Sequence, residues 1–229
     1  MKHGKKWQAG QERVDATATY SLAESVDLVI EGEARGFDET VDITIKLGID
    51  PRRGDQNVRG AVSLPNGTGR SRAVIAFCEP GGESAAIDSG AAEAGGEELA
   101  GKIEGGWSDF DVVIAHPSQM KIVGKLGKTL GPMGKMPSPK AGTVVPDVAK
   151  AVAEFAAGKV EFRNDDGGIL HVPVGKRSFG AGQVVENVEA FLEHVALLRP
   201  TSAKGVFMER AWVGSTMGPS VRFKVENQA

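Results

Sequence analysis

The segment 41–49 constrains the fold of this chain more than any other. Apolar side chains occupy every second position along it, which predicts a strand. Its apolar side chains share one face, whereas Asp42, Thr44 and Lys46 lie on the other. A period of two buries one face of a strand and leaves the other open, which is typical of an antiparallel sheet. The apolar set consists of Val41, Ile43, Ile45, Leu47 and Ile49. We therefore expect a sheet with one buried and one polar face.

A polar corner follows this strand. The dipeptide Asp50-Pro51 predicts a first turn, a short strand over 60–64 comes next, and the segment 65–69 (PNGTG) predicts a second turn. Proline restricts φ in such turns and glycine permits positive φ. Three guanidinium groups lie in this corner, those of Arg52, Arg53 and Arg59. Ion pairs with neighbouring carboxylates would explain them, and so would contacts with an anionic partner.

The central part of the chain has a different architecture. Two continuous apolar runs, 73–78 and 112–115, are separated by a Gly/Ala/Glu-rich stretch with a weak helical pattern. Buried strands that alternate with helices favour a small parallel α/β unit. Its last helix begins after Pro146-Asp147 and ends at Gly158, because aspartate caps a helix start and glycine a helix end.

The C-terminal part again predicts an antiparallel sheet. Strand candidates 159–163 and 169–174 flank an Asn-Asp-Asp-Gly-Gly segment, which predicts a hairpin. A helix over 183–198 has one apolar stripe, and the final strand over 221–225 alternates. Strands covered by helices in this way form an α+β domain.

The composition excludes several classes of site. The only cysteine, Cys78, permits no internal disulfide and is expected to be buried, and the four histidines are too far apart to predict a metal site. No leader sequence and no apolar run of about 20 residues is present, so we expect a cytoplasmic protein without a membrane segment.

The charge is unevenly distributed. The net charge of −3 disfavours nucleic-acid binding slightly. However, residues 83–111 carry eight acids and one lysine, whereas residues 112–146 carry five lysines and no acid. One face can therefore be basic. These lysines are Lys121, Lys125, Lys128, Lys135 and Lys140.

Enzymatic motifs are incomplete. Gly127-Lys128-Thr129 resembles the end of a phosphate-binding loop, but Ile122 stands where that motif requires glycine. No nucleophile elbow is present either, so we expect no catalytic residue and no cofactor. The alternative is a small α/β enzyme that binds a nucleotide or another small ligand in the parallel unit.

Five motifs in order carry a resemblance to a known family. They are FDETVD (37–42), LGIDPRRGDQNVRG followed by LPNGTG (47–69), GPMGKMPSPKAGTV (131–144), KVEFRNDDGGILHVPVGKRSF (159–179) and STMGPS (215–220). Together they resemble the bacterial ribosomal protein L-one family, proteins of the large ribosomal subunit. The resemblance extends over nearly the whole chain.

The resemblance implies a discontinuous architecture. An outer α+β domain, with an antiparallel sheet and helices, would comprise residues 1–67 and 158–229. A Rossmann-like α/β domain would be inserted as residues 68–157. The hinges between them would be Gly67, Gly69, Ala157 and Gly158.

The resemblance also implies a function. A member of this family is a structural constituent that binds ribosomal RNA and forms the mobile stalk near the tRNA exit site, where it helps to release deacylated tRNA. It also represses its own operon by binding the messenger leader. We expect a monomer when the protein is free.

The residues expected to contact RNA follow from the same resemblance. They are Arg35, Phe37, Thr40, Asp42, Arg163, Asp166, His171, Lys176, Ser215, Thr216, Met217 and Gly218. The family usually has a lysine where this chain has Gly36, so Arg35 would take over that contact. The five lysines of residues 121–140 would form a second surface, for tRNA. Without the resemblance, residues 215–219 predict only a turn, Phe37 a core residue, and the charged side chains near Arg163 a solvated edge.

Overall fold

The computed structural model describes residues 4–32 and 36–225, and only the backbone of Lys6. These residues form a mixed α/β structure with an antiparallel and a parallel sheet, which agrees with the predicted classes. The chain divides into two compact units. Unit 1 contains the described parts of Met1–Gly69 and Phe162–Ala229, and unit 2 is Arg70–Glu161.

The elements in chain order are α1 (Lys5–Glu12), α2 (Leu22–Ile30), β1 (Thr40–Leu47), β2 (Arg59–Ser63), β3 (Val74–Phe77), α3 (Glu83–Asp88), β4 (Glu93–Gly95), α4 (Glu97–Glu104), β5 (Val112–Ala115), α5 (Met120–Lys125), α6 (Gly127–Leu130), α7 (Val148–Ala156), β6 (Lys159–Arg163), β7 (Ile169–Lys176), α8 (Ala181–Leu197), β8 (Met208–Ser215) and β9 (Ser220–Phe223). Short 3-10 turns occupy Pro117–Gln119 and Pro139–Ala141. Within the described residues, no helix has the length and apolar content that spanning a bilayer requires.

The antiparallel sheet of unit 1 has the strand order β7-β1-β8-β9. The predicted alternation of β1 is confirmed, since Val41, Ile43, Ile45 and Leu47 are fully buried. Helices α2 and α8 contact each other and the strands of this sheet. Polar residues of β1 alternate with the buried ones and are partly exposed. We call the side of the sheet on which they lie the open face.

The predicted hairpin around Asn164 is wrong. Strand β6 pairs with β2 and β7 pairs with β1, so the two strands belong to different sheets. Asn164 ends the first strand by bonding to Val58: its backbone N–H donates to the Val58 carbonyl (3.0 Å), and its side-chain oxygen accepts from the Val58 N–H (2.8 Å). The Asp165 carboxylate then accepts from the N–H groups of Gly167 (2.8 Å) and Ile169 (2.7 Å). The segment is a turn that leads from one sheet to another.

Unit 2 contains the predicted parallel strands. Its sheet has the order β4-β3-β5, and every residue of β3 and β5 is buried. Helix α7 begins as expected, because the Asp147 carboxylate accepts from the Lys150 N–H (3.1 Å), and Gly158 follows it at φ +113°. Cys78 is 4% exposed, as predicted, and burial raises the pKa of its thiol.

A buried amide connects three segments of unit 1. Asn187 of α8 is fully buried, and its amide nitrogen donates to the carbonyls of Gly67 (2.9 Å) and Val174 (2.7 Å). Its oxygen accepts from the Asn66 N–H (3.0 Å). Helix α8, strand β7 and the 65–69 turn are therefore joined at one side chain. The apolar periodicity of α8 gave no indication of it.

Replacing Asn187 by leucine should destabilise unit 1 by about 3 kcal/mol. Leucine has the same number of side-chain heavy atoms but leaves the buried Val174 carbonyl and the partly buried Asn66 N–H and Gly67 carbonyl without this partner. Each lost bond costs about 1–3 kcal/mol, reduced by partial relaxation. Urea unfolding followed by circular dichroism measures the loss. Glu189→Gln on the exposed side of the same helix is the control and should change stability by less than about 0.5 kcal/mol. A loss below about 1 kcal/mol for Asn187→Leu would contradict this role.

Candidate nucleic-acid interface

Three predicted segments meet where β1 begins. Strand pairing places Thr40 opposite Lys176 and Val41 opposite Ser215. The Thr216 N–H donates to the Thr40 carbonyl (3.0 Å), and the Thr216 hydroxyl accepts from the Thr40 N–H (3.1 Å). Lys176 Nζ donates to the Thr40 hydroxyl (3.1 Å). We call residues 37–42, Lys176 and residues 215–218 the β1-start cluster.

The 215–218 turn holds a large apolar side chain outward. The Gly218 N–H donates to the Ser215 carbonyl (3.1 Å). A Cβ at Gly218 would lie 2.5 Å from the Ser215 hydroxyl oxygen, so a larger residue here would displace that hydroxyl. The Met217 N–H donates to the carboxylate of Glu39 (3.5 Å), and the Met217 side chain is 54% exposed.

The segment before β1 is also held in place with an apolar ring exposed. The Asp38 carboxylate accepts from the Ser178 N–H (3.0 Å) and from the Ser178 hydroxyl (2.8 Å). Phe37 is 54% exposed and is therefore not a core residue. Arg35 lies outside the described residues, whereas Gly36 is exposed.

Asp42 lies on the open face of β1. Burial raises the pKa of its carboxyl group above the ordinary value, and the positive charges of His171 and Lys176 partly oppose this effect. The carboxylate is therefore destabilised where it stands, and two predicted site residues reduce that destabilisation.

Two other predicted residues lie at the opposite end of β1. Arg163 and Asp166 are exposed at the end of β6 and in the turn that follows. This turn meets β1 because the Leu47 N–H donates to the Gly168 carbonyl (2.9 Å), and we call residues 163–168 the turn cluster. Six steps of about 3.3 Å separate Thr40 from Lys46, so the two clusters are about 20 Å apart. Except for His171, the predicted residues that the structure describes therefore form two groups.

His171 lies between the two clusters. It is opposite Thr44, and its Nδ1 lies 3.3 Å from the Thr44 hydroxyl. Its Nε2 is 3.8 Å from the Asp165 carboxylate in the turn cluster. The exposed imidazole thus stands on the open face in the middle of the sheet.

The polar corner that follows β1 is not held by ion pairs of Arg52 or Arg53. Both side chains are exposed, and within the described chain neither pairs with a carboxylate. The buried Gln56 fixes the corner instead. Its oxygen accepts from the Asp50 N–H (2.8 Å), and its nitrogen donates to the Ser202 carbonyl (3.3 Å). Both guanidinium groups can therefore reach a partner, whereas Arg59 is partly buried in β2.

Sequence reasoning missed two residues of the open face. Trp212 of β8 is opposite Thr44, and Arg222 of β9 is opposite Trp212. Both are partly exposed and alternate with fully buried neighbours. The alternation of β8, with Ala211 and Val213 buried, was the signal that could have identified Trp212.

Four of the five lysines of residues 121–140 are exposed in unit 2. The first part of this segment is helical and forms α5 and α6, because Val123, Leu126 and Leu130 pack into the core at helical spacing. Lys135 differs from the others. Its ammonium donates to the Phe110 and Ser108 carbonyls and lies 4.7 Å from the centre of the Phe110 ring, so it stabilises unit 2 itself.

The described residues contain no group of three His, Cys, Asp or Glu side chains arranged to hold a metal ion. What the clusters offer is hydroxyl groups, backbone amides, exposed apolar side chains and positive charges on a rigid sheet. RNA helices are recognised mainly through shape, phosphates and 2′-hydroxyl groups, for which these groups are suited.

The chain is similar to known proteins over nearly its whole length. Residues 29–219 match the model of the ribosomal protein L1p/L10e family. The chain is 47% identical over 220 residues to the large ribosomal subunit protein uL1 of Chlamydia trachomatis serovar L2b, which covers 96% of this chain and 95% of that protein. It is 45% identical over 228 residues to the protein of the same name from Solidesulfovibrio magneticus, which covers 100% of this chain and 96% of that protein.

Replacing Asp42 by asparagine should stabilise the free protein at neutral pH, by less than about 1 kcal/mol because the group is partly solvated. The carboxyl pKa is higher in the folded than in the unfolded chain, so the folded state favours the protonated form. The stability that the protonated carboxyl group contributes is fully present below the ordinary pKa of 3.8, and it is lost as the pH rises through the pKa of the folded state.

The gain in folding stability from Asp42→Asn should therefore appear at pH 7 and disappear near pH 3.5. Chemical unfolding at both pH values measures it, with Asp166→Asn, an exposed carboxylate, as the control. A variant that is less stable than the wild type at pH 7 would show that the carboxylate stabilises the fold.

Proposed function

The chain belongs to the ribosomal protein L1p/L10e family, and on this premise we propose that the open face of unit 1 binds a folded element of ribosomal RNA. Membership makes it a structural, non-enzymatic constituent of the large subunit of the cytoplasmic ribosome. This membership argues against the alternative of a small nucleotide-binding enzyme, because the family has a structural role.

The β1-start cluster is the observation that supports RNA binding most directly. Thr216 and Thr40 bond to each other through backbone and hydroxyl groups, so two loops present a single rigid surface. Phe37 and Met217, each 54% exposed, flank this bonded pair along the chain. Apolar side chains beside ordered hydroxyls suit a ribose edge, where the 2′-hydroxyl and the sugar carbons lie side by side.

The turn cluster would supply phosphate contacts. Arg163, Arg52 and Arg53 are exposed near the far end of β1. A Cβ placed on Gly168 would lie 3.4 Å from the Pro51 ring, so the turn cluster adjoins the corner that carries Arg52 and Arg53. Guanidinium groups bind phosphates in a bidentate manner, which positions an RNA without reading its sequence. Two contacts about 20 Å apart would fix both the position and the direction of an RNA helix on the sheet.

A second RNA surface in unit 2 is the next part of the proposal. Lys121, Lys125, Lys128 and Lys140 would contact tRNA near the exit site through phosphates, since a hydrated ammonium favours transient contact. Lys135 is left out because its ammonium is already bonded within unit 2.

We also propose that the unit-2 domain forms the mobile part of the stalk. The chain leaves unit 1 after Gly69 and returns at Phe162. Gly67, Gly69 and Gly158 have positive φ, and Ala157 is the C-cap of α7. Motion at these residues would let the stalk follow deacylated tRNA as it leaves.

The same surface would serve a messenger leader that mimics the ribosomal site. A reporter fused to the leader of the chain's own operon should therefore fall several-fold when this protein is overproduced, whereas the Thr216→Ala variant should repress less. Fluorescence per cell measures the effect, and a frame-shifted gene on the same plasmid is the control. A reporter that does not respond to the wild-type protein would contradict autoregulation.

Thr216→Ala should weaken binding to a large-subunit stalk RNA fragment by about tenfold or more, because the variant loses the hydroxyl that joins the 216 turn to Thr40. Thr216→Ser retains the hydroxyl and should bind within about threefold of the wild type. Filter binding across a salt series measures both.

Thermal unfolding of each variant separates a local effect from a loss of fold. Arg163→Gln provides a second comparison, since the loss of one phosphate contact reduces the salt slope by about one unit. Equal binding by Thr216→Ala and the wild type would contradict the assignment of the β1-start cluster.

A further inference from the structure

A row of four side chains crosses the open face between the two clusters. His171, Thr44, Trp212 and Arg222 are successive cross-strand neighbours on β7, β1, β8 and β9. Side chains that are directly opposite in an antiparallel sheet stand about 5 Å apart, so the row spans the whole width of the sheet. It lies at the level of Thr44, midway along β1.

Trp212 has no function inside the protein that the structure shows. Its neighbours Ala211 and Val213 are fully buried beneath the sheet, so the indole lies on the opposite, open side, where it is partly exposed. Within the described residues, the indole has neither a hydrogen bond nor a contact with another ring. A large aromatic surface thus stands on a sheet face that carries mostly polar side chains.

Positive charge surrounds this indole. Arg222 is its direct neighbour on β9, and Arg210 is two residues before it on β8, with the same side-chain direction. Neither guanidinium forms an ion pair within the described part of the chain. Lys46 is opposite Arg210, while Asp42 is the one acid among the β1 residues of this face. The potential here favours an anion.

We propose that Trp212 is the platform on which an unpaired base of the bound RNA stacks, while Arg210 and Arg222 bind the phosphates on either side of it. Every base has a π face, so such a platform selects an unpaired nucleotide without selecting its identity. Stacking on an aromatic side chain is the usual way in which proteins hold a base that has left the helix. The inference rests on the proposed RNA function, because it names which part of that RNA lies over the middle of the sheet.

The test compares two forms of one RNA with the full chain. The probe is the large-subunit stalk fragment, used with its unpaired nucleotides and again with those nucleotides deleted or paired. Trp212→Leu should lose about 5- to 100-fold in affinity for the first form. For the fully paired form it should lose less than twofold. Trp212→Phe retains an aromatic face and should bind the first form within about threefold of the wild type.

A second measurement does not depend on the leucine variant. Trp7→Phe and Trp107→Phe together leave Trp212 as the only tryptophan of the chain. Its fluorescence should be quenched by the RNA with unpaired nucleotides and should stay nearly constant with the fully paired RNA. A tryptophan that only supports the sheet would be quenched by neither RNA. Quenching by the RNA with unpaired nucleotides alone therefore indicates stacking.

The outcomes separate this inference from the proposed function. If the wild type binds neither RNA, both fail. If Thr216→Ala weakens binding while Trp212→Leu binds both RNAs like the wild type and Trp212 shows no quenching, the RNA function stands and the stacking site is overturned. The stacking site is also overturned if Trp212→Leu loses affinity equally for both RNAs and Trp212 shows no quenching. That result would show that the indole only supports the sheet.

Discussion

The buried amide of Asn187 joins helix α8, strand β7 and the turn through which the chain leaves unit 1. A buried polar group is tolerated only when its hydrogen bonds are made, so these three segments have one arrangement in which all of them are satisfied. Strand β7 carries His171 and Lys176, and its pairing with β1 places both beside Asp42. The position of the open-face charges therefore depends on a side chain beneath them.

The two faces of the sheet have opposite requirements. The buried face is filled by aliphatic side chains and holds unit 1 together. The open face carries a carboxylate that burial destabilises and an indole that, among the described residues, contacts no other ring. Both kinds of residue alternate along the same strands, so the chemistry of the open face is positioned by packing on the other side. A change on the open face can alter binding with little effect on the core, because neighbouring residues point in opposite directions.

Local patterns predicted the elements well, and partners that are distant in sequence were predicted poorly. Alternation identified β1, and Asp147 with Gly158 marked the ends of α7, because both signals act within a few residues. The hairpin at Asn164 was wrong because Val58 takes its hydrogen bonds, and no local pattern contains that pairing. Lys135 was placed on a charged surface, although the Phe110 ring and carbonyl bind it. The pairing of both ends of the chain in one sheet came from a family resemblance.

The discontinuity of unit 1 has a consequence for the order in which the protein is made. Strand β1 is synthesised early, yet its neighbours β7 and β8 follow only after all of unit 2 has been added. Unit 2 is contiguous and can fold while the chain is still growing, whereas β1 waits with its apolar face uncovered. A nascent chain that stops before β8 lacks both the 216 turn and the strand on which that turn is held. Translation that ends before β8 thus yields chains without a complete β1-start cluster, so incomplete chains could not compete for the RNA site proposed in unit 1.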